Sequence, residues 1–181
     1  MTTMTTSAPE IRQVYCRAQQ LARDTGKIPD LFATVWGSYY VGLATENVAS
    51  ARSLTDELFS IARSQDDPGL LLQAHHAAWP LELTFGDLNL ATGHIEAGLN
   101  LYRQETHGQQ AMLYGGHDPA VCGYTLGALV SQILGYPDRA SMQLQKGLAL
   151  ARRLAHPPSL MHALWMGAEM RFVRSDPTRS Q

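Results

Sequence analysis

Apolar residues recur along most of this chain at spacings of three and four. Val48, Ala51, Leu54, Leu58, Ile61 and Ala62 share one face of a 3.6-residue helix, while Arg52, Asp56 and Glu57 fall off that stripe. The same stripe returns as Leu88, Ala91, Ile95, Leu99 and Tyr102, and again as Ala140, Leu144, Leu148, Ala151 and Leu154. An earlier stripe runs through Ile11, Val14, Tyr15, Ala18, Leu21 and Ala22, and a last helical stretch covers Leu160 to Val173. No segment alternates with the period of two that a half-buried strand needs. The pattern predicts an all-α chain.

Prolines punctuate these stretches. Pro29, Pro68, Pro119 and Pro158 each precede an apolar helical segment and stand 39, 51 and 39 residues apart. Proline suits the first turn of a helix, and an aspartate just before it caps free N–H groups. Ala51, Ala91 and Ala140 each sit five residues into a second helix, 40 and 49 residues apart, where a small side chain lets two helices cross closely. Gly86 and Gly135 occupy the turn between two helices and Glu46 holds the corresponding place earlier. The repeat predicts helix pairs over 29–65, 68–103 and 119–155, half units over 9–26 and 158–173, and an insertion over 104–117. Residues 1–8 are expected to be a disordered lead and 174–181 a frayed tail, with a helical-repeat domain of roughly seven helices between them. Each pair leaves an apolar face that stacking covers. Such ragged ends suggest an excerpt of a longer array.

Composition narrows the function classes. With 45% hydrophobic residues the chain can fill a core, and a net charge of −2 gives no reason to expect nucleic acid or an anionic membrane as partner. The longest apolar run, Ala120 to Tyr136, is interrupted by Thr125, Ser131 and Gln132 and falls short of a membrane span. The opening MTTMTTSAPE lacks the basic and apolar segments of a signal peptide. Cys16 and Cys122 match no redox or zinc spacing. These features fit a cytoplasmic protein.

The Gly86, Leu88, Ala91 pattern resembles a tetratricopeptide repeat, lengthened from the usual 34 residues to nearer 40. Five segments, "PDLFATVWG", "LLLQAHHA", "YGGHDPAVC", "LGYPDRA" and "LARRLAHPPSL", resemble the helical C-terminal region of large bacterial predicted ATPases fused to adenylate/guanylate cyclase-type domains. The resemblance covers about residues 9–173. It implies tetratricopeptide-like antiparallel helix pairs stacked in a right-handed α-solenoid, within a multidomain signalling protein whose catalytic parts lie elsewhere. No G-x-x-x-x-G-K-[ST] loop is present, so nucleotide hydrolysis does not carry over.

The segment Tyr114 to Cys122 concentrates candidate chemistry. Gly115-Gly116 before a helix N-terminus is physically able to hold an anion, but no strand precedes it and no lysine follows. His107, His117, Asp118 and Cys122 are metal-ligand types at a spacing that matches no strong motif. The simpler reading makes Asp118 the cap and Pro119 the first residue of a helix, as Asp67 and Pro68 are one unit earlier, with the two glycines turning the insertion back. Tyr114, His117 and Cys122 then lock the insertion against the repeats or line a ligand groove. Of the adjacent His75 and His76, about 100° apart on a helix, one packs and the other faces the groove. Pro80 interrupts a helical pattern and is expected to kink it.

Aromatic residues gather on the first helices: Trp36, Tyr39, Tyr40, Trp79, Tyr124 and Trp165. The sequence therefore predicts a non-catalytic module that binds a protein segment or a neighbouring domain, with Trp36, Tyr40, His76, Tyr114, His117 and Tyr124 as the partner-binding residues. The alternative is a regulatory module that senses a small molecule in the groove. No catalytic triad, cofactor motif or metal site is predicted, and exposed array ends make a homodimer an expected possibility.

Overall fold

The computed structural model describes residues 9–45 and 48–175. The expected disordered lead, Glu46 and residues 176–181 lie outside the described residues. Helices run over Pro9–Thr25 (α1), Ile28–Ala44 (α2), Val48–Gln65 (α3), Pro68–Phe85 (α4), Leu88–Leu101 (α5), Gln104–His107 (α6), Pro119–Ile133 (α7), Pro137–Leu154 (α8) and Pro157–Ser175 (α9). A 3₁₀ turn over Gly108–Met112 follows α6. No strand occurs among the described residues, and the protein is all-α. The helices number nine rather than about seven because half units flank three full pairs and the insertion itself coils into α6. Helix α9 continues to Ser175, into the stretch expected to fray.

Local chemistry explains where the helices start and stop. The Asp67 carboxylate accepts from the N–H groups of Gly69 at 2.7 Å and Leu70 at 3.1 Å, opening α4. Asp118 does the same for α7, accepting from Ala120 and Val121 at 3.0 Å each. These caps satisfy donors that the first turn leaves free. Gly86 ends α4 with φ +80, the left-handed conformation that a side chain would strain. Pro80 sits inside α4, which runs through it to Phe85.

Packing places the helices in two rows. Each long helix packs against its chain neighbours, and α2, α4, α7 and α9 also touch one another in sequence. Helices α3, α5 and α8 lie behind them. Ala51, Ala91 and Ala140 are all fully buried at the crossings, as small contact residues should be. At Gly98 the approach is closer still, since a Cβ there would stand 2.6 Å from the Trp79 ring of α4. Phe32, Val35, Tyr39, Leu58, Ala74 and Leu81 build one core cluster, and Trp79, Ile95, Cys122, Val130 and Met166 build the next. Exposed ion pairs join the rear row, Arg23 to Glu57 and Arg139 to Glu96, both at 2.7 Å. Exposure limits each to below about 1 kcal/mol, so burial rather than charge holds the stack. No helix among the described residues is long and apolar enough to cross a membrane.

Candidate ligand cavity

The front row encloses a cavity of about 890 Å³. Helix α2 contributes Trp36, Tyr39, Tyr40 and Leu43, α4 contributes His76, Pro80 and Leu83, and α7 contributes Cys122, Leu126 and Leu129. Helix α9 adds Met161, His162, Trp165 and Met166, while the insertion supplies Gly115, Gly116 and His117. The walls are therefore largely apolar, with histidines at one end. Glu169 is the acidic residue at the rim.

The histidine end is built by helix periodicity and by the inserted loop. His76 lies on the inner face of α4 and is 3% exposed. Its neighbour His75 points to the other side, where its Nδ1 lies 2.9 Å from that of His94 and its ring packs on Phe59. On His76 the Nδ1 faces the Gln73 Oε1 at 3.0 Å. Gln73 in turn donates from Nε2 to Gln110 Oε1 at 2.8 Å. That direction makes the Gln73 oxygen an acceptor, so His76 carries its proton on Nδ1 and leaves Nε2 with a lone pair. The Gly115 carbonyl accepts from the His117 ring, and the His117 Nε2 has no hydrogen-bond partner. His117 stacks on His162 with centroids 4.0 Å apart and planes 6° apart, and the His162 Nε2 is also unpartnered.

Gly115 holds this arrangement together. Its φ is +78, and a Cβ there would stand 3.1 Å from Trp36, 3.2 Å from the His117 Cε1 and 3.4 Å from the His76 Cε1. The loop backbone thus passes directly over both rings, a path that suits glycine. The nitrogen and sulfur atoms of His76, His117 and Cys122 all fall within 4.8 Å of one another. Beside the sulfur, the Trp79 indole N–H has no oxygen or nitrogen partner, and the Tyr39 hydroxyl is likewise buried and unpartnered.

Burial sets the protonation states. It lowers His117 to about 4 and His162 to about 3, with each further opposed by a neighbouring histidine, and it places His76 well below the ordinary imidazole value. All three rings are neutral near pH 7. Burial also pushes the Cys122 thiol up to about 12, so it is protonated, with none of the lowered value a helix start can give. Asp118 is raised by burial against the pull of its cap bonds and of the Tyr102 hydroxyl, which donates to its Oδ2 at 2.9 Å.

The six residues singled out from sequence divide three ways. Tyr40, 46% exposed, and the histidines His76 and His117 line the cavity. Trp36 lines it too, but is 5% exposed and donates from Nε1 to the Gln73 carbonyl at 3.3 Å. It is core as well as wall, so replacing it disturbs the fold that a binding test needs intact. Tyr114 is 4% exposed and lies behind the wall, packed edge-on to Phe32 and against Trp36. It locks the insertion rather than facing the cavity. Tyr124 lies elsewhere, packed between α7 and α8 against Leu148, Leu150 and Ala151. Its position on α7 is rotated away from the inner face that Cys122 and Leu126 occupy.

Of the four metal-ligand types weighed together, His107 and Asp118 are occupied otherwise. The His107 Nδ1 accepts from the Arg103 N–H at 3.0 Å, and Asp118 caps α7. Sequence reasoning missed His162 altogether, although it lies four residues after Pro158 at the start of the unpaired last helix. It also left Tyr39 between stripes, whereas the structure buries it at the cavity wall.

No family model matches this chain. It is similar to a protein of Rhizobium meliloti (strain 1021), described only as uncharacterized, with 28% identity over 172 residues. The similarity covers 94% of this chain and 16% of that relative, so the chain spans about a sixth of the relative's length.

Proposed function

We propose that this chain is a non-catalytic recognition module, a tetratricopeptide-like right-handed α-solenoid whose inner face holds a small, largely apolar molecule. The cavity carries this reading. Its volume of about 890 Å³ falls in the range of small-molecule sites, and convergent polar groups at one end of an apolar chamber are what such sites use to orient a ligand. The ligand lies between α2, α4, α7 and α9 and contacts the inserted loop. A bound molecule therefore biases how successive repeats sit on each other, which is how such a module signals to neighbouring domains. The great length of the Rhizobium relative supports work within a multidomain signalling protein.

Exposed apolar residues on α9 favour a second reading, capture of a protein segment or a neighbouring domain. Met161, Leu164, Trp165 and Phe172 are each more than half exposed. Nuclear magnetic resonance screening with small aromatic fragments separates the two readings. Small-molecule binding predicts saturable shifts at the indole signals of Trp36 and Trp165 and the methyl of Met166, abolished by the cavity-filling Leu129→Trp in a folded protein. Shifts confined to Leu164 and Phe172, or shifts unchanged by Leu129→Trp, contradict it.

A further inference from the structure

We infer that His76, His117 and Cys122 form a binding site for a thiophilic transition-metal ion, Zn²⁺ by its ligand preference, at the closed end of the cavity. The inference goes beyond the small-molecule reading and needs no organic ligand. Three segments far apart in sequence bring these residues together: α4, the inserted loop and the first turn of α7. Their ligating atoms lie within 4.8 Å of one another. A tetrahedral zinc ion with bonds of about 2.0–2.3 Å sets its ligands roughly 3.3–3.8 Å apart, so rotations of about 1 Å close the three on one ion. All three residues line the cavity, which leaves the fourth position to water or to a ligand within it.

The surroundings fit a metal better than a plain core. Gln73, itself fully buried and anchored by Gln110, fixes the His76 tautomer with Nε2 free. His117 is held through the Gly115 carbonyl, and its buried Nε2 has no partner. A metal-bound histidine has this arrangement, with the second ring nitrogen donating to a carbonyl or amide oxygen. The Trp79 indole N–H lies against the Cys122 sulfur, where it stabilises a thiolate. An apolar core would leave buried lone pairs and donors such as these uncompensated, which is costly. His162, stacked on His117, braces the ring from the side away from α4.

The chemistry balances simply. The imidazoles enter neutral and lose nothing, whereas the Cys122 thiol releases one proton to solvent as its sulfur bonds the ion. No oxidant or reductant is involved.

Titration of the reduced, chelator-stripped protein with Co²⁺ tests the site. The expected result is one equivalent bound per chain, a thiolate-to-cobalt charge-transfer absorption, its bleaching by Zn²⁺, and release of one proton per ion. Cys122→Ala should abolish the absorption. His117→Gln should weaken Co²⁺ binding by at least ~10-fold, and Cys16→Ser should leave it unchanged. Circular dichroism identifies any variant that fails to fold, and the His117 and Cys16 variants then carry the test. Absence of the absorption in the unaltered protein, its persistence in folded Cys122→Ala, or its loss in Cys16→Ser overturns the inference. The fragment screen is run on stripped protein, so its outcome is independent of this one.

Discussion

Neutral histidines packed face to face make the cavity end sensitive to acid. His117 and His162 have ring centroids 4.0 Å apart, and burial lowers them to about 4 and about 3. In the unfolded chain both titrate near 6.5, so below that pH the unfolded state binds protons that the folded state refuses. The stability they contribute is fully present above pH 6.5 and is lost as pH falls toward the folded values. Each ring held neutral weakens folding by up to about 1.4 kcal/mol per pH unit across that window. Urea denaturation between pH ~7 and ~5 should show a falling midpoint, with a shallower fall in His162→Gln; equal slopes would contradict the assignment. The sequence exposed part of this end. Adjacent histidines must diverge on a helix, which marked one of His75 and His76 as inward facing, but only the path of the inserted loop decides which rings meet. His162 belongs to no motif and carries no local signal.

Helix entrances are the most legible elements, because a cap is a local event. Asp118 is 1% exposed and does more than cap: it accepts from two backbone N–H groups and from the Tyr102 hydroxyl, while its own N–H donates to the Ser159 Oγ at 2.8 Å. One residue thus ties α5, α7 and α9 together. Asp118→Ala should destabilise the protein by about 2 kcal/mol, and Asp118→Asn, which keeps a capping oxygen, by roughly half as much. Chemical denaturation of the two variants beside Asp67→Ala checks this; equal losses from Asp118→Ala and Asp118→Asn would show that the oxygen cap is not what matters. The segment "YGGHDPAVC" is therefore both a helix entrance and a cavity wall. Its capping half could be read from Asp-Pro spacing. The wall half could not, because it depends on Gly115 crossing two rings that lie some 40 residues apart in the chain.

At the scale of the whole molecule, periodicity showed helices and small residues showed where they cross. Stripes at three and four residues report local burial, so they place Ala51, Ala91 and Ala140 at contacts. They do not report how far one unit rotates on the next, and that rotation decides which aromatic faces inward. Tyr124 and Tyr39 changed places for this reason, the first packing behind α7 and the second reaching the cavity. The central claim is that α4, the inserted loop and α7 meet around a cavity end with free ring nitrogens. Long-range nitrogen-15 imidazole spectra of the metal-free protein near neutral pH test it most directly. The structure predicts neutral rings with the proton on Nδ1 for both His76 and His117, and a close contact from each His Hε1 to the Gly115 Hα protons. Imidazolium signals, an Nε2-protonated His76, or no contact to Gly115 would contradict it.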